Sequence, residues 1–168
     1  MKKYKYLEKY ICKQKDSNGV RSNSFFSINS EEIIFEEKKI EFDFPMQLKD
    51  FWSEIGYGFF HLSKNGKIQN TYSNRLLPPD EIKEILLSDE DDPNCPVIYE
   101  FYENLTEGDM PFFEIGDSVS FLYMRPKSDK PNAVYDALGN EISPTFEEFI
   151  YKLYHVSPTF YIDEFNKK

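Results

Sequence analysis

Phe44-Pro45-Met46-Gln47-Leu48-Lys49-Asp50-Phe51-Trp52-Ser53-Glu54-Ile55-Gly56-Tyr57-Gly58-Phe59-Phe60 is the stretch whose reading decides the fold. Pro45 suits the first turn of a helix, where a missing N–H leaves no hydrogen bond unmade. Leu48, Phe51, Trp52 and Ile55 then recur at i, i+3, i+4 and i+7, an apolar stripe aimed at a core. Gly56 and Gly58 bracket Tyr57, so the helix is expected to end through a glycine in left-handed geometry and the chain to leave as a strand. Two glycines also invite a phosphate-loop reading. Their spacing matches neither GxGxxG nor the P-loop pattern, and no helix is expected to follow.

Upstream, Asn29-Ser30-Glu31-Glu32 sets capping residues and early acids ahead of Ile33 and Ile34, which predicts a helix beginning near Ser30. It should stop before residues 42–45, because the residue preceding a proline is biased away from helical geometry. Further upstream, Tyr6, Leu7, Tyr10 and Ile11 fall at helical spacing and predict a short amphipathic helix over residues 4–15, ended by Asp16-Ser17-Asn18-Gly19 and followed by a polar loop.

Downstream, Leu76-Leu77-Pro78-Pro79-Asp80-Glu81 opens another short helix with Ile82, Ile85 and Leu86 inward. The acidic run Ser88-Asp89-Glu90-Asp91-Asp92-Pro93 closes it, and residues 97–102 suit either a strand or a helical face. The clearest β signal is Phe112-Phe113-Glu114-Ile115, Gly116-Asp117, then Ser118-Val119-Ser120-Phe121-Leu122-Tyr123-Met124. Gly-Asp between two such runs marks a hairpin, and the alternation of Val119, Phe121 and Tyr123 predicts a sheet with one buried face. Residues 133–136 predict a further short strand. Last comes Ser143-Pro144-Thr145-Phe146-Glu147-Glu148-Phe149-Ile150-Tyr151-Lys152-Leu153-Tyr154, a helix with Thr145 as its cap and Phe146, Phe149, Ile150 and Leu153 as its stripe. These pieces describe one α+β domain over residues 1–168, a mostly antiparallel sheet of about five or six strands flanked by about four or more helices.

Length and composition agree with one folded unit. A chain of 168 residues can bury most of its apolar surface in a single core, and 17% aromatic residues argue against disorder. No run of about 18 apolar residues predicts a membrane span. The basic start Met1-Lys2-Lys3-Tyr4-Lys5-Tyr6 is not followed by the apolar stretch of a secretory signal, and Cys12 and Cys95 form no CxxC pair. A reduced cytoplasm is the simplest setting. Thirty acidic residues against twenty basic ones give a net charge of -10, a field that repels phosphate backbones and anionic membranes and draws basic partners inward. Such charge also serves solubility alone.

Chemistry is not signalled. The two histidines, His61 and His155, stand in no HExxH or HxH spacing, and no GxSxG elbow occurs. His61 follows an aromatic pair as a rim residue, and His155 ends a helix, where a positive ring is mildly favourable. The acidic run 88–93 lacks the alternating ligands, central glycine and terminal glutamate of a calcium loop. No catalytic residue, metal ligand or cofactor is therefore expected.

The order of motifs resembles the SUKH superfamily, named partly for yeast regulators of cell-wall synthesis. The residues that carry the likeness are Phe44-Pro45 with Leu48-Lys49-Asp50-Phe51-Trp52, Gly56-Tyr57-Gly58-Phe59-Phe60, Asn74-Arg75-Leu76-Leu77-Pro78-Pro79-Asp80-Glu81-Ile82, the strands around residues 112–117, and the closing Ser143-Pro144-Thr145-Phe146-Glu147-Glu148-Phe149. It spans residues 30–154 and rests on order and spacing together. The resemblance implies an antiparallel sheet flanked by helices, no shared catalytic motif and, in bacteria, immunity proteins that bind and inactivate polymorphic toxins, often nucleases. Three classes of function follow: an immunity protein for a basic toxin domain, a regulatory scaffold in cell-wall assembly or signalling, and an enzyme of unknown chemistry. For the first two, the expected protein-binding surface is a groove floored by Tyr57 and Phe59, with His61 at its edge and a rim of Asp89, Glu90, Asp91 and Asp92.

Overall fold

Short strands paired in chain order make one antiparallel sheet. The computed structural model describes residues 2–12, 23–40, 42–66, 73–87, 106, 108–116 and 120–165. A 3-10 helix (Lys5–Tyr10) leads to β1 (Ser24–Phe26), α1 (Ser30–Ile40), α2 (Met46–Glu54), β2 (Tyr57–Phe59), β3 (Ser73–Leu76) and α3 (Pro79–Leu87). Then come β4 (Met110–Gly116), β5 (Ser120–Met124), β6 (Val134–Tyr135), β7 (Glu141–Ser143), α4 (Phe146–His155) and α5 (Phe160–Phe165). The sheet runs β1-β2-β3-β4-β5-β6-β7 with every neighbour antiparallel. The fold is α+β as expected, with seven strands in place of five or six. The strands that sequence reading missed are β1, β3 and β7, of three or four residues each. That is too short for an alternation to register. Residues 97–102, the acidic run 88–93 and Cys95 lie outside the described residues.

The stripe on α2 is core: Leu48, Phe51, Trp52 and Ile55 are all buried. Pro45 stands at the cap position, one residue before the helix, and its carbonyl accepts from the N–H groups of Leu48 and Lys49. Trp52 donates its indole N–H to the Leu77 carbonyl at 3.1 Å, so the buried ring keeps its one polar group satisfied. Gly56 and Gly58 have φ of 106° and 140°. The reason is more than a turn: a Cβ on Gly56 would sit 2.0 Å from the Phe26 carbonyl oxygen, and one on Gly58 2.1 Å from that of Ser24. The glycines let β1 lie flush against β2.

The N-terminal helix is shorter than its spacing predicts. After Tyr10 the chain extends, Ile11 bridges Phe25 in parallel, and the Cys12 N–H donates to the Phe25 carbonyl at 2.8 Å. Pairing along the β1 edge wins over the helical period, since an open edge leaves backbone groups without partners. In β5, Phe121, Leu122, Tyr123 and Met124 are all buried, so both faces are covered there and the expected single buried face is not found. A bulge between Pro111 and Phe113 in β4 brings two adjacent rings against α4. Phe113 meets Phe149 edge-on at 5.1 Å, and Phe112 meets Phe146 at 5.7 Å. Thr145 caps α4 by accepting the Glu148 N–H at 3.1 Å. Beyond it, α5 sends the buried Tyr161 hydroxyl to Asn74 Oδ1 at 2.5 Å, while Asn74 Nδ2 donates to the Pro158 carbonyl.

Candidate functional site

The register of β1 to β5 decides which side chains leave the core. Gly58 pairs with Phe25 and Leu76, whose side chains are buried among the helices. Tyr57 and Phe59 flank it and therefore point to the opposite face, because successive residues of a strand alternate. The row continues across the sheet, with Phe59 opposite Ser24 and Arg75, Arg75 opposite Glu114, and Glu114 opposite Phe121.

On this outer face the rings form a strip. Phe26 lies 5.6 Å from Tyr57, and Phe59 stacks on His61 at 5.4 Å with 7° between planes. Tyr57, Phe59 and His61 are each half-buried. The buried Asn23 fixes the end of the strip, accepting from the N–H groups of His61 and Leu62 at 2.8 and 2.9 Å and donating to the Leu62 carbonyl. Of the three aromatic positions expected at the site, Phe59 and His61 are in contact, and Tyr57 lies on the same face as Phe59 and against Phe26.

Charge arrives from two helices. Arg75 grips Glu81 of α3 with two parallel hydrogen bonds of 2.8 and 2.6 Å, and its Nε donates to Glu114 at 2.6 Å. Burial works against the guanidinium charge, but these two carboxylates outweigh it and hold Arg75 above its ordinary pKa. The Tyr57 phenol is pushed up, first by burial, then by the fields of Asp80, Glu81 and Glu32, with Arg75 opposing. The fields of those three acids reach the ring from the first turns of α1 and α3. Asp89, Glu90, Asp91 and Asp92, expected to form the rim, lie outside the described residues. Asp80 and Glu81 are visible in sequence only as first-turn acids of a helix, and nothing local links them to a tyrosine more than twenty positions earlier.

His155 departs from expectation. It ends α4, yet burial, and then Lys64, lower its pKa, so the neutral ring is favoured despite the helix terminus. No group of three or more His, Cys, Asp or Glu side chains among the described residues could hold a metal. Likewise, no helix among them is long and apolar enough to cross a membrane. What the outer face offers is a partly buried aromatic strip on the same side of the sheet as the Arg75, Glu81 and Glu114 ion pairs.

No protein-family model matches the chain, and no solved structure matches it. Among curated proteins, the chain is similar to one from Bacillus subtilis (strain 168) named Immunity protein YxxD. The two are 28% identical over 144 residues, which cover 85% of this chain and 90% of that protein.

Proposed function

We propose that this chain is an immunity protein of the SUKH type, a non-enzymatic, cytoplasmic binder that neutralises a protein toxin by covering its working surface. The observation that carries the reading is the likeness to Immunity protein YxxD along 85% of the chain. The SUKH-like order of motifs over residues 30–154 agrees with it. The contact surface is the outer face of β1 and β2, with Tyr57 and Phe59 as anchors, His61 at the end of the strip, and Glu32, Asp80 and Glu81 as its acids.

A basic toxin domain fits this surface. Its approach is speeded by the net charge of -10, with an association rate that falls as salt rises. A nuclease domain is the toxin class to test first, because a cleft built to hold phosphates is complementary to a face of carboxylates. Neutralisation then needs no chemistry in this chain, only occupation of the cleft.

The test is titration of the purified protein into the toxin domain encoded beside its gene, with toxin activity and binding measured together. Inhibition in step with binding, and faster dissociation for Tyr57→Ala, is the expected result. Tight binding that leaves the toxin active would make the protein a scaffold. No binding to any neighbouring gene product would remove the immunity reading.

A further inference from the structure

A second surface of different character lies on the helix side of the sheet. There the C-terminal end of α4 meets the N-terminal 3-10 helix. Tyr6 stacks on Tyr154 at 5.1 Å and meets His155 edge-on at 4.9 Å, while Tyr151 stacks on His155 at 4.1 Å with 13° between planes. Tyr10 packs edge-on against Tyr154. Tyr151 and Val156 are 53% and 58% exposed, and Tyr6, Tyr10 and His155 are half-buried.

Two cations stand at this surface of an acidic chain. Lys9 sets its ammonium 4.8 Å from the Tyr10 ring centre and 6.0 Å from that of Tyr154. Lys64 is exposed, and its backbone N–H is tied to the Tyr154 carbonyl at 2.5 Å, which places a second cation at the end of the helix. The nearby acids are largely engaged or set to one side. Glu8 pairs with Lys2 at 2.5 Å and Glu148 with Lys152 at 2.8 Å, while Glu54 accepts from the Lys3 and Tyr4 N–H groups and Glu147 pairs with Lys3 at 3.6 Å.

We propose that this tyrosine, histidine and lysine patch is a second protein-docking site, and that it takes a short carboxylate-bearing segment of another protein. The rings are already stacked on one another, so little side-chain freedom is lost on contact, and tyrosine is among the residues that most often anchor interfaces. The Lys9 ammonium, held by the Tyr10 and Tyr154 hydroxyls, and the exposed Lys64 offer positive charge to carboxylates, and Tyr151 with Val156 offers an apolar shelf. A nucleic acid suits the patch less well. It carries a charge at every phosphate along its length and would run on from two lysines into the field of a chain of net charge -10. An acidic peptide places a few carboxylates and ends.

This site does not depend on the toxin reading. Helix α4 packs on the core face through Phe112 and Phe113, whereas Tyr57 and Phe59 point away from that layer. Both surfaces can therefore be filled at once.

The experiment uses the full chain and a short fluorescein-labelled peptide of glutamates interspersed with leucines, read by fluorescence anisotropy at low salt. Saturable binding is expected, weakened about tenfold or more by Lys9→Glu with Lys64→Glu and by Tyr151→Ala, and unchanged by Tyr57→Ala. In isotope-labelled wild-type protein, the Val156 methyls and the Tyr151 ring should shift on titration, a readout that needs no variant to fold. Absence of saturable binding overturns the proposal. So does equal binding of the same peptide with glutamines in place of glutamates, or loss of binding on Tyr57→Ala in place of the lysine changes. Tighter binding of a single-stranded oligonucleotide of matching length would overturn it in favour of nucleic acid. None of these outcomes bears on toxin neutralisation, which is scored separately with the toxin.

Discussion

Gly58 and Tyr57 are neighbours in one three-residue strand, and they serve opposite faces of the same sheet. On the face that Gly58 joins, the contacts are ring against ring, Phe25 with Phe60 at 4.9 Å and Phe113 with Phe149 at 5.1 Å, in a dry layer closed by α2 and α4. On the face that Tyr57 joins, rings stand beside carboxylates and a guanidinium fork. Burial of apolar surface stabilises the first arrangement regardless of partners. The second combines partly buried rings with ion pairs, of which the exposed members are worth little to folding and the buried Glu114 more. Under the proposed function, the simple alternation of a strand separates stability from recognition, and substitutions on the two faces should give different signatures.

The largest effect belongs to the core face. Trp52→Ala removes a fully buried indole that meets Phe44 edge-on and leaves the Leu77 carbonyl without its donor, so a loss of about 4 kcal/mol is expected in urea unfolding. A loss below about 1 kcal/mol would break the comparison, since it would assign α2 no greater role than a surface helix. Next is Gly58→Ala, at about 3 kcal/mol, because the added methyl meets a backbone oxygen of β1 and the residue must also hold positive φ. Relaxed φ at position 58 with unchanged stability would show that β1 can move aside.

Arg75→Met sharpens the contrast from the other side. Its guanidinium is partly exposed, but Glu114 is not, and removing the cation leaves that carboxylate buried with one partner fewer. A cost of about 2 kcal/mol is expected, below the range for a fully buried pair. If the cost is negligible, the outer face contributes nothing to folding and the separation of roles is complete.

A smaller effect tests the completeness of the core. The Tyr4 hydroxyl is buried without a hydrogen-bond partner among the described residues, and burial, with lesser help from Glu147 and other neighbours, pushes its pKa well up. Tyr6 is raised as well, again chiefly by burial. Folded phenols hold their protons more tightly than unfolded ones, so this stability is fully present below about pH 10, the ordinary tyrosine value, and is lost as pH rises beyond it. Tyr4→Phe should raise stability at neutral pH by up to about 1 kcal/mol and flatten the alkaline decline. A destabilised variant would point to a partner for the hydroxyl.

Some of this was legible in sequence and some was not, for physical reasons that differ by element. The helix from Ser30, the stripe on α2, the positive φ at Gly56 and Gly58 and the Thr145 cap are all local signals, set by residues within a few positions of one another. β1, β3 and β7 were missed because a strand of three or four residues is defined by its partner: Ser24 is a strand residue only because Phe59 lies opposite. That Tyr57 and Phe59 share a face was readable from their spacing after the glycine turn. Glu32, Asp80 and Glu81 were not, because their approach to Tyr57 depends on how α1 and α3 settle across the sheet. Arg75 shows the same limit, since its two carboxylates lie on α3 and β4 and no spacing in sequence announces them.

The smallest expected change in stability comes from neutralising the acids around Tyr57. Glu32→Gln with Asp80→Asn should alter stability by no more than about 0.5 kcal/mol, part of it from the lost first-turn charge of α3. The Tyr57 phenol reports the change directly. Because burial is the first cause of its raised pKa and the acids come after it, the value should fall in the double variant yet stay above that of a free tyrosine. Ring resonances in tyrosine-labelled protein, assigned with Tyr57→Phe, would follow this titration. An unchanged value would mean that Glu32 and Asp80 face solvent away from the ring, and the acidic border of the outer face would then have to come from Glu81 alone. A fall to the ordinary value would mean that the ring is more exposed than half-buried. Either result would redraw the line between a face that folds the chain and a face that meets a partner.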